Sequence, residues 1–195
     1  RLGKADGALN LARVFFKEGR LDEAVTALRR AGAGGAAPWT VAWLSGLVNK
    51  ENGYLDQAIG DFERVLATGP AEVGARRFDF SMDYEVINEL GLALFERAKM
   101  ERGPAAEARR RQYLQRAAEQ FEKTLRIDSE NVTAHYVLSL VYNQLGDQQR
   151  ANEHIVLHAR YKLDDNARDR AITTHRLANT AANHAAQSIV IYPLR

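Results

Sequence analysis

A spacing of 34 residues between similar segments constrains the fold of this chain more than any other feature. Gly19-Arg-Leu-Asp-Glu-Ala24, Gly53-Tyr-Leu-Asp-Gln-Ala58 and Gly146-Asp-Gln-Gln-Arg-Ala151 share one pattern, and Ala24 precedes Ala58 by 34 residues. Ala117 precedes Ala151 by the same distance. A fixed period of this length indicates stacked helix–turn–helix units, because one such unit cannot bury its own apolar face. The sequence therefore predicts an all-α solenoid.

Small, glycine and aromatic residues recur at fixed places within this period, and in this the chain resembles the tetratricopeptide-repeat (TPR) family. The second repeat fits best, with Gly46, Gly53, Ala58, Phe62 and Pro70 in the family's positions. The resemblance implies a right-handed solenoid of about four repeats, in which the first helix of each repeat lines a concave face. We expect a solenoid domain at 1–163, with repeats at about 5–38, 39–72, 84–130 and 131–163.

Two insertions interrupt the period between Ala58 and Ala117. The first, Ala71 to Asp83, is expected to form a loop over the solenoid, anchored by Phe78 and Phe80. The second adds about 14 residues around the turn signal Gly103-Pro104, between two strong helix formers. Shared between two helices, it predicts about two extra turns in each and a third hairpin that protrudes by roughly 10 Å.

Composition and motifs argue against catalysis. The net charge of +2 gives no electrostatic footprint for nucleic acid, the chain has no cysteine, and no apolar stretch is long enough to span a membrane. His154 and His158 lie four residues apart on one predicted helix, where they could ligate zinc or haem iron or simply pack between helices. We expect a non-enzymatic protein that holds no metal and no cofactor.

The expected function is protein binding. The geometry implied by the resemblance turns one set of first-helix residues toward the concave groove: Arg13, Trp43, Leu47, Asn88, Tyr136 and Asn143. Trp, Tyr and Arg dominate interface energetics, although several of these residues could instead pack between helices. On the protruding hairpin, Arg109, Arg110 and Arg111 form either a solvated helix face or a docking site for an acidic partner.

The C-terminal region, 164–195, is expected to contain a capping helix at about 166–178 and an extended tail. Ile189, Ile191 and Tyr192 give the tail β-strand chemistry, so it could pack back on the solenoid or add to another chain. Because the chain begins at Arg1 rather than Met, we expect a chain that is processed, truncated or a visible part of something longer, with an uncapped first repeat. Residues 165–195 could then meet the first repeat of another copy or of a preceding domain. Contact with another copy would give a head-to-tail oligomer or filament.

A second resemblance concerns the C-terminal part alone. The runs Asp128 to Tyr136 and Tyr161 to Asn166, and the segment Ala181 to Tyr192, are similar to TPR regions associated with bacterial multihaem c-type cytochromes. This resemblance implies an extracytoplasmic setting and a multihaem cytochrome as one candidate partner. The other candidate partners are a different protein and a second copy of the chain.

Overall fold

The computed structural model describes residues 3–73, 78–162 and 165–179, with only the backbone described for 165–171. In these residues the chain is built of α-helices and short 3₁₀ turns without a β-strand, which confirms the predicted all-α fold. The helices are α1 (Lys4–Lys17), α2 (Leu21–Ala33), α3 (Pro38–Glu51), α4 (Leu55–Ala67), α5 (Tyr84–Met100), α6 (Glu107–Ile127), α7 (Val132–Leu145), α8 (Gln148–Tyr161) and α9 (Asp165–Ala178).

The chain divides into two compact units, Arg1–Arg160 and Tyr161–Arg195. In the first unit, consecutive helices form four hairpins: α1 with α2, α3 with α4, α5 with α6, and α7 with α8. A left-handed glycine ends the first helix where the turn is tightest, as at Gly53 (φ 77°) and Gly146 (φ 84°). Because a side chain is strained at such a φ, these positions explain why glycine recurs in the sequence pattern.

Within the second and third hairpins, the helices approach each other at a glycine. A Cβ atom on Gly46 would lie 2.6 Å from Cε1 of Phe62, and one on Gly91 would lie 2.7 Å from Cε2 of Phe121. Both phenylalanine side chains are fully buried. The aromatic ring of the second helix therefore occupies the space that a side chain on the first helix would need, as the repeat pattern predicted.

The hairpins also pack against one another. Phe62 and Phe121 belong to one hydrophobic core that runs from α4 to α8 and includes Leu94, Leu138 and Ala151. A second core joins α1, α2 and α3. Burial is thus continuous from hairpin to hairpin, which is how a repeat that cannot fold alone is stabilised by its neighbours.

The first insertion is anchored by one of its two phenylalanines. Phe80 lies in a 3₁₀ turn, is buried, and packs its ring 5.1 Å from that of Trp39. Phe78 is exposed, and its ring lies edge-on to that of Phe80, at a centroid distance of 5.0 Å. The prediction that both rings anchor the loop is wrong for Phe78, because Phe80 already fills the space beside Trp39.

The second insertion lengthens the two helices unequally. α6 has 21 residues and α5 has 17, against 13 or 14 in each of the first four helices. α6 therefore gains about two turns, as predicted, but α5 gains only about one, since the rest of the insertion forms the turn around Gly103. Arg97, near the end of α5, donates to Asp56 at the start of α4 over 2.8 Å. Only the last turn of α5 extends beyond α4.

The second unit contains α9, whose bounds agree with the predicted helix at 166–178. Its role as a cap stays a prediction. The predicted strand-like tail, with Ile189, Ile191 and Tyr192, lies outside the described residues.

Candidate protein-interaction surfaces

The first helices of neighbouring hairpins are joined by polar contacts. Lys50 on α3 forms an ion pair with Glu89 on α5, in which both side chains are largely buried. Asn88 on α5 accepts a hydrogen bond from the Thr124 hydroxyl (2.8 Å) and donates to Asn131 Oδ1 (3.4 Å). These contacts fix α3, α5 and α6 against one another. Oδ1 and Nδ2 of Asn88 are therefore both used in hydrogen bonds within the protein.

We call the surface that carries the six predicted concave-face residues the first-helix face; it consists of Arg13, Trp43, Leu47, Asn88, Tyr136 and Asn143. Arg13, Tyr136 and Asn143 are exposed, whereas Trp43, Leu47 and Asn88 are half-buried. Trp43 packs against all three hydrophobic clusters of the first unit, with its ring 5.7 Å from that of Phe62. Most of the tryptophan surface is therefore used to hold hairpins together.

Tyr136 is the most prominent aromatic residue of the first-helix face. Half of its surface is exposed, and its ring lies 5.2 Å from the His158 ring on α8. His158 is held in turn by a 3.1 Å hydrogen bond between its Nδ1 and the Val132 carbonyl on α7. An exposed tyrosine on a fixed support offers contact area at low entropic cost, which suits a binding residue.

Two histidines that the sequence separates by 19 residues meet between α7 and α8. Nδ1 of His135 lies 2.9 Å from Nδ1 of His154, and Nε2 of His135 lies 3.1 Å from the Ser129 carbonyl. A carbonyl can only accept, so Nε2 of His135 is the protonated nitrogen, and neutral His135 must accept from His154. Burial first, and the neighbouring His135 second, lower the pKa of His154 below its ordinary value.

This pair holds one proton between its facing nitrogens. If both histidines were charged, two N–H groups would point at each other and the two positive charges would repel. A pair that carries two charges therefore cannot keep this hydrogen bond. The sequence analysis considered His154 only together with His158, because no local spacing relates His154 to His135. No three His, Cys, Asp or Glu side chains in the described residues are grouped so that they could hold a metal ion.

A polar network fixes the start of α8. Arg150 pairs with Asp147 at 2.7 Å, and its guanidinium lies 4.1 Å over the Tyr142 ring. The Tyr142 hydroxyl donates to Glu122 on α6 and accepts from Arg150. Burial, followed by the hydrogen bond to Glu122, raises the pKa of Tyr142 to about 12. The hydroxyl therefore stays protonated and links α6 to α7.

The three consecutive arginines of α6 have partners within the protein. Arg109 pairs with the nearly buried Glu101 carboxylate at 3.2 Å, and Arg110 donates to Gln144 on α7. Arg111 donates to the Leu145 carbonyl, over 3.3 Å, at the end of α7. These bonds tie the lengthened α6 to its neighbours. Arg109 and Arg111 also remain exposed, so a partner could still reach them.

The two ends of the described hairpin stack expose side chains whose counterparts inside the stack are buried. On α1, Leu11 is 41% and Val14 is 49% exposed, whereas the equivalent residues of α5 and α7 are buried. On α8, Ile155 is 53% exposed, although its equivalents Phe62 and Phe121 are fully buried. Inside the stack, Phe62 and Phe121 belong to the same hydrophobic core as the α5 and α7 counterparts of Leu11 and Val14, which are Leu90, Ala93, Leu138 and Val141. Leu11, Val14 and Ile155 are therefore exposed apolar side chains at positions that are buried inside the stack.

Family models described as tetratricopeptide repeat match residues 100–154 and residues 5–31. These matches detect TPR repeats in the chain. The first spans the end of α5 through the first half of α8, and the second spans most of α1 and α2. No curated protein matches the chain. No helix in the described residues is long and apolar enough to cross a membrane.

Several solved structures share the fold. A crystal structure of MamA has a TM-score of 0.63 at 16% identity, covering 82% of this chain and 78% of that one. A MamA structure from AMB-1 has a TM-score of 0.61 at 21% identity, over 81% and 78% of the two chains. A monomeric mutant of IFIT1 with Gppp-AAAA has a TM-score of 0.63 at 17% identity, but the match covers only 34% of that chain. At these identities the likeness concerns the fold, which is a TPR-like solenoid.

Proposed function

We propose that the chain is a protein–protein interaction scaffold that binds its partner on the first-helix face. The observation that carries the proposal is the exposed Tyr136 on α7, on the same first-helix face as the half-buried Leu47 and Trp43 of α3. The Lys50–Glu89 ion pair joins α3 to α5 within this face. An aromatic anchor on a rigid, partly apolar surface is typical of protein-binding sites. The buried contacts of Asn88 and Trp43 keep that surface in one shape.

The finer proposal is an extracytoplasmic partner, with a multihaem c-type cytochrome as the leading candidate. It is supported by the resemblance of the 128–136 and 161–166 runs to TPR regions associated with such cytochromes. The exposed tyrosine and asparagine on α7 lie in or near the first of these runs. Arg109 and Arg111 on α6, and Ile189, Ile191 and Tyr192 in the tail, are proposed as additional contact residues.

Site-specific photo-crosslinking in the source cells tests both statements. A photoreactive amino acid at Tyr136 should give a discrete crosslinked product, and the same group at the exposed Thr26 on α2 is the matched control. A product that also stains for haem would support the cytochrome proposal. Equal crosslinking from the two positions would contradict the first-helix face as the binding surface, and a haem-free product would contradict the cytochrome.

Head-to-tail self-assembly is the second candidate, because the open ends of the hairpin stack are both apolar. The Leu11 and Val14 surface of one copy would pack against the Ile155 surface of the next, repeating the contact that joins hairpins inside the chain. Leu11→Glu and Ile155→Glu should each lower the mass measured by light scattering, with little loss of melting temperature. Tyr54→Glu changes an equally exposed residue elsewhere and should leave the mass unchanged. A strictly monomeric parent chain would refute this candidate.

A further inference from the structure

A groove separates the second helices of the first two hairpins. Its walls are α2 and α4, and its floor is the face of α3 between them. Three adjoining hollows of about 330, 180 and 480 Å³ make up the groove, and Ser45 lines all three. We call this feature the junction groove. It lies on the other side of α3 from Trp43 and Leu47, so it is distinct from the first-helix face.

The junction groove exists because leucines that fill the later junctions are missing from the first. The residue eight places after the repeat alanine is Gly32 in the first hairpin, but it is Leu66 and Leu125 in the second and third. Both leucines pack against the hydrophobic core. A Cβ atom added to Gly32 would meet nothing within 4 Å. The space that a leucine fills at the other junctions is therefore open here.

The floor of the groove shows the same difference. The residue just before the small residue of the first helix is Ser45 on α3, but it is Leu90 on α5 and Leu138 on α7. Both of those leucines are buried. Two independent leucine-to-small differences therefore fall on one wall and on the floor of the same junction. Leaving out these side chains gives up about 25 cal/mol for each Å² of apolar surface that they would bury.

The chemistry of the groove is apolar inside and cationic at the rim. Val41, Ala42 and Trp39 provide an apolar surface, and Ser45 adds one hydroxyl. Arg29 and Arg64 stand on opposite walls. Arg64 pairs with Asp61, whose buried carboxylate also accepts a 2.7 Å hydrogen bond from the Asn49 amide.

Arg29 has no hydrogen bond or ion pair to any part of the chain that the structure describes. An approaching molecule therefore meets two exposed guanidinium groups, of which that of Arg29 is unpaired among the described residues. The one carboxylate among the described lining residues, that of Asp61, is buried. Guanidinium groups favour carboxylates, which they can bind in bidentate fashion.

We propose that the junction groove docks an apolar side chain of a partner protein that is flanked by carboxylates. The apolar side chain takes the place of the leucines missing at positions 32 and 45, and the carboxylates pair with Arg29 and Arg64. The hollow lined by Trp39, Val41 and Ala42 measures about 330 Å³, at the lower end of the volumes usual for ligand pockets, and has room for one aromatic or aliphatic side chain. This second surface extends the scaffold function, since it leaves the first-helix face free.

A peptide-binding measurement on the full chain tests the proposal. The probe is a capped hexapeptide with a central Leu-Trp pair flanked by two glutamates on each side, and lysines replace the glutamates in the comparison peptide. The fluorescence anisotropy of a dye attached to the probe gives the Kd. The acidic peptide should bind saturably and at least about tenfold more tightly than the basic one, which corresponds to about 1.4 kcal/mol. The preference should shrink as salt is added.

Variants at Gly32 separate docking from folding. Gly32→Leu should weaken binding of the acidic peptide at least tenfold, because it fills the groove as Leu66 and Leu125 fill the later junctions. Gly32→Ala is the matched control, since it makes a similar change in helix propensity but leaves most of the groove open. Gly32→Leu should melt no lower than Gly32→Ala. Should Gly32→Leu bind the peptide as tightly as the parent chain, the groove is not the docking site.

Arg29→Glu provides a second test that does not depend on groove volume. It should reverse the preference of the chain toward the lysine-flanked peptide. Equal binding of the two peptides by the parent chain would overturn the proposed carboxylate partner, and no saturable binding of the acidic peptide would overturn the proposal as a whole. Tyr136→Ala should leave peptide binding unchanged, so this proposal and the function of the first-helix face can fail separately.

Discussion

Replacing Gly46 with alanine places a methyl group where the Phe62 ring now lies. The added Cβ atom would stand 2.6 Å from Cε1 of the ring and 2.8 Å from Cδ1. Carbon atoms in contact normally lie about 3.5–4.0 Å apart, so the ring or the helix must move by about 1 Å. The ring cannot swing into solvent, because it is fully buried and Trp43 packs beside it.

Two opposing effects set the expected change in stability. Overpacking a well-packed core costs about 1–3 kcal/mol, whereas alanine is favoured over glycine in a helix by about 1 kcal/mol. The net loss should therefore be about 0–2 kcal/mol. Gly60→Ala on α4 is the matched control, since its Cβ would meet nothing within 4 Å, and it should stabilise the chain by up to about 1 kcal/mol.

The difference between the two variants isolates the packing effect. The difference in unfolding free energy should amount to about 1–3 kcal/mol in urea unfolding followed by circular dichroism. For a chain of this size, each kcal/mol corresponds to a shift of about 2–4 °C in melting temperature. The double variant Gly46→Ala with Phe62→Leu should lose less stability than the sum of the two single losses, because the smaller side chain removes the clash. If Gly46→Ala were as stable as Gly60→Ala, the close contact between α3 and α4 would be refuted.

Three further predictions concern other contacts. Ala58→Leu should destabilise the chain by about 1–3 kcal/mol in the same urea assay, because Ala58 is fully buried between helices, and wild-type stability would show the repeat register to be wrong. The folded-state pKa of His154 is lowered, first by burial and then by His135, so folding resists its protonation and stability should fall as the pH drops below about 6.5. His154→Gln should flatten that pH dependence in unfolding curves measured across pH. An unchanged slope of the unfolding free energy against pH would contradict the role of His154. Arg111→Ala removes a solvent-exposed donor to the Leu145 carbonyl and should change the unfolding free energy by less than about 0.5 kcal/mol.

Sequence periodicity predicted the parts of the fold that depend on local chemistry. Gly53 was identifiable because a tight helix end needs a left-handed residue, and Gly46 because two helices can approach closely only at a small residue. The positions of both insertions followed from the interrupted spacing. The unequal lengthening of α5 and α6 did not, because the sequence shows where residues are added but not how they divide between helix and turn.

The surfaces were harder to predict, because burial depends on several hairpins at once. Trp43 was expected to face the concave groove of the solenoid. The structure shows a half-buried ring that packs against three hydrophobic clusters. No local spacing relates His135 to His154, so their contact required the packed hairpin. The junction groove did leave a signal in the sequence: Gly32 and Ser45 stand where aligned repeats carry leucine.

Departures from the repeat pattern therefore identify the surfaces that can bind, whereas agreement with it identifies the core. Each junction between hairpins can be stabilised by leucines at the same two places, and the later junctions carry them. The first junction carries glycine and serine instead, and its arginine rim includes Arg29, which has no polar contact in the described part of the chain. A stack selected for stability alone would fill this space, since each Å² of apolar surface that a leucine buries stabilises the fold by about 25 cal/mol. Keeping it open is understandable if another molecule supplies the missing side chain.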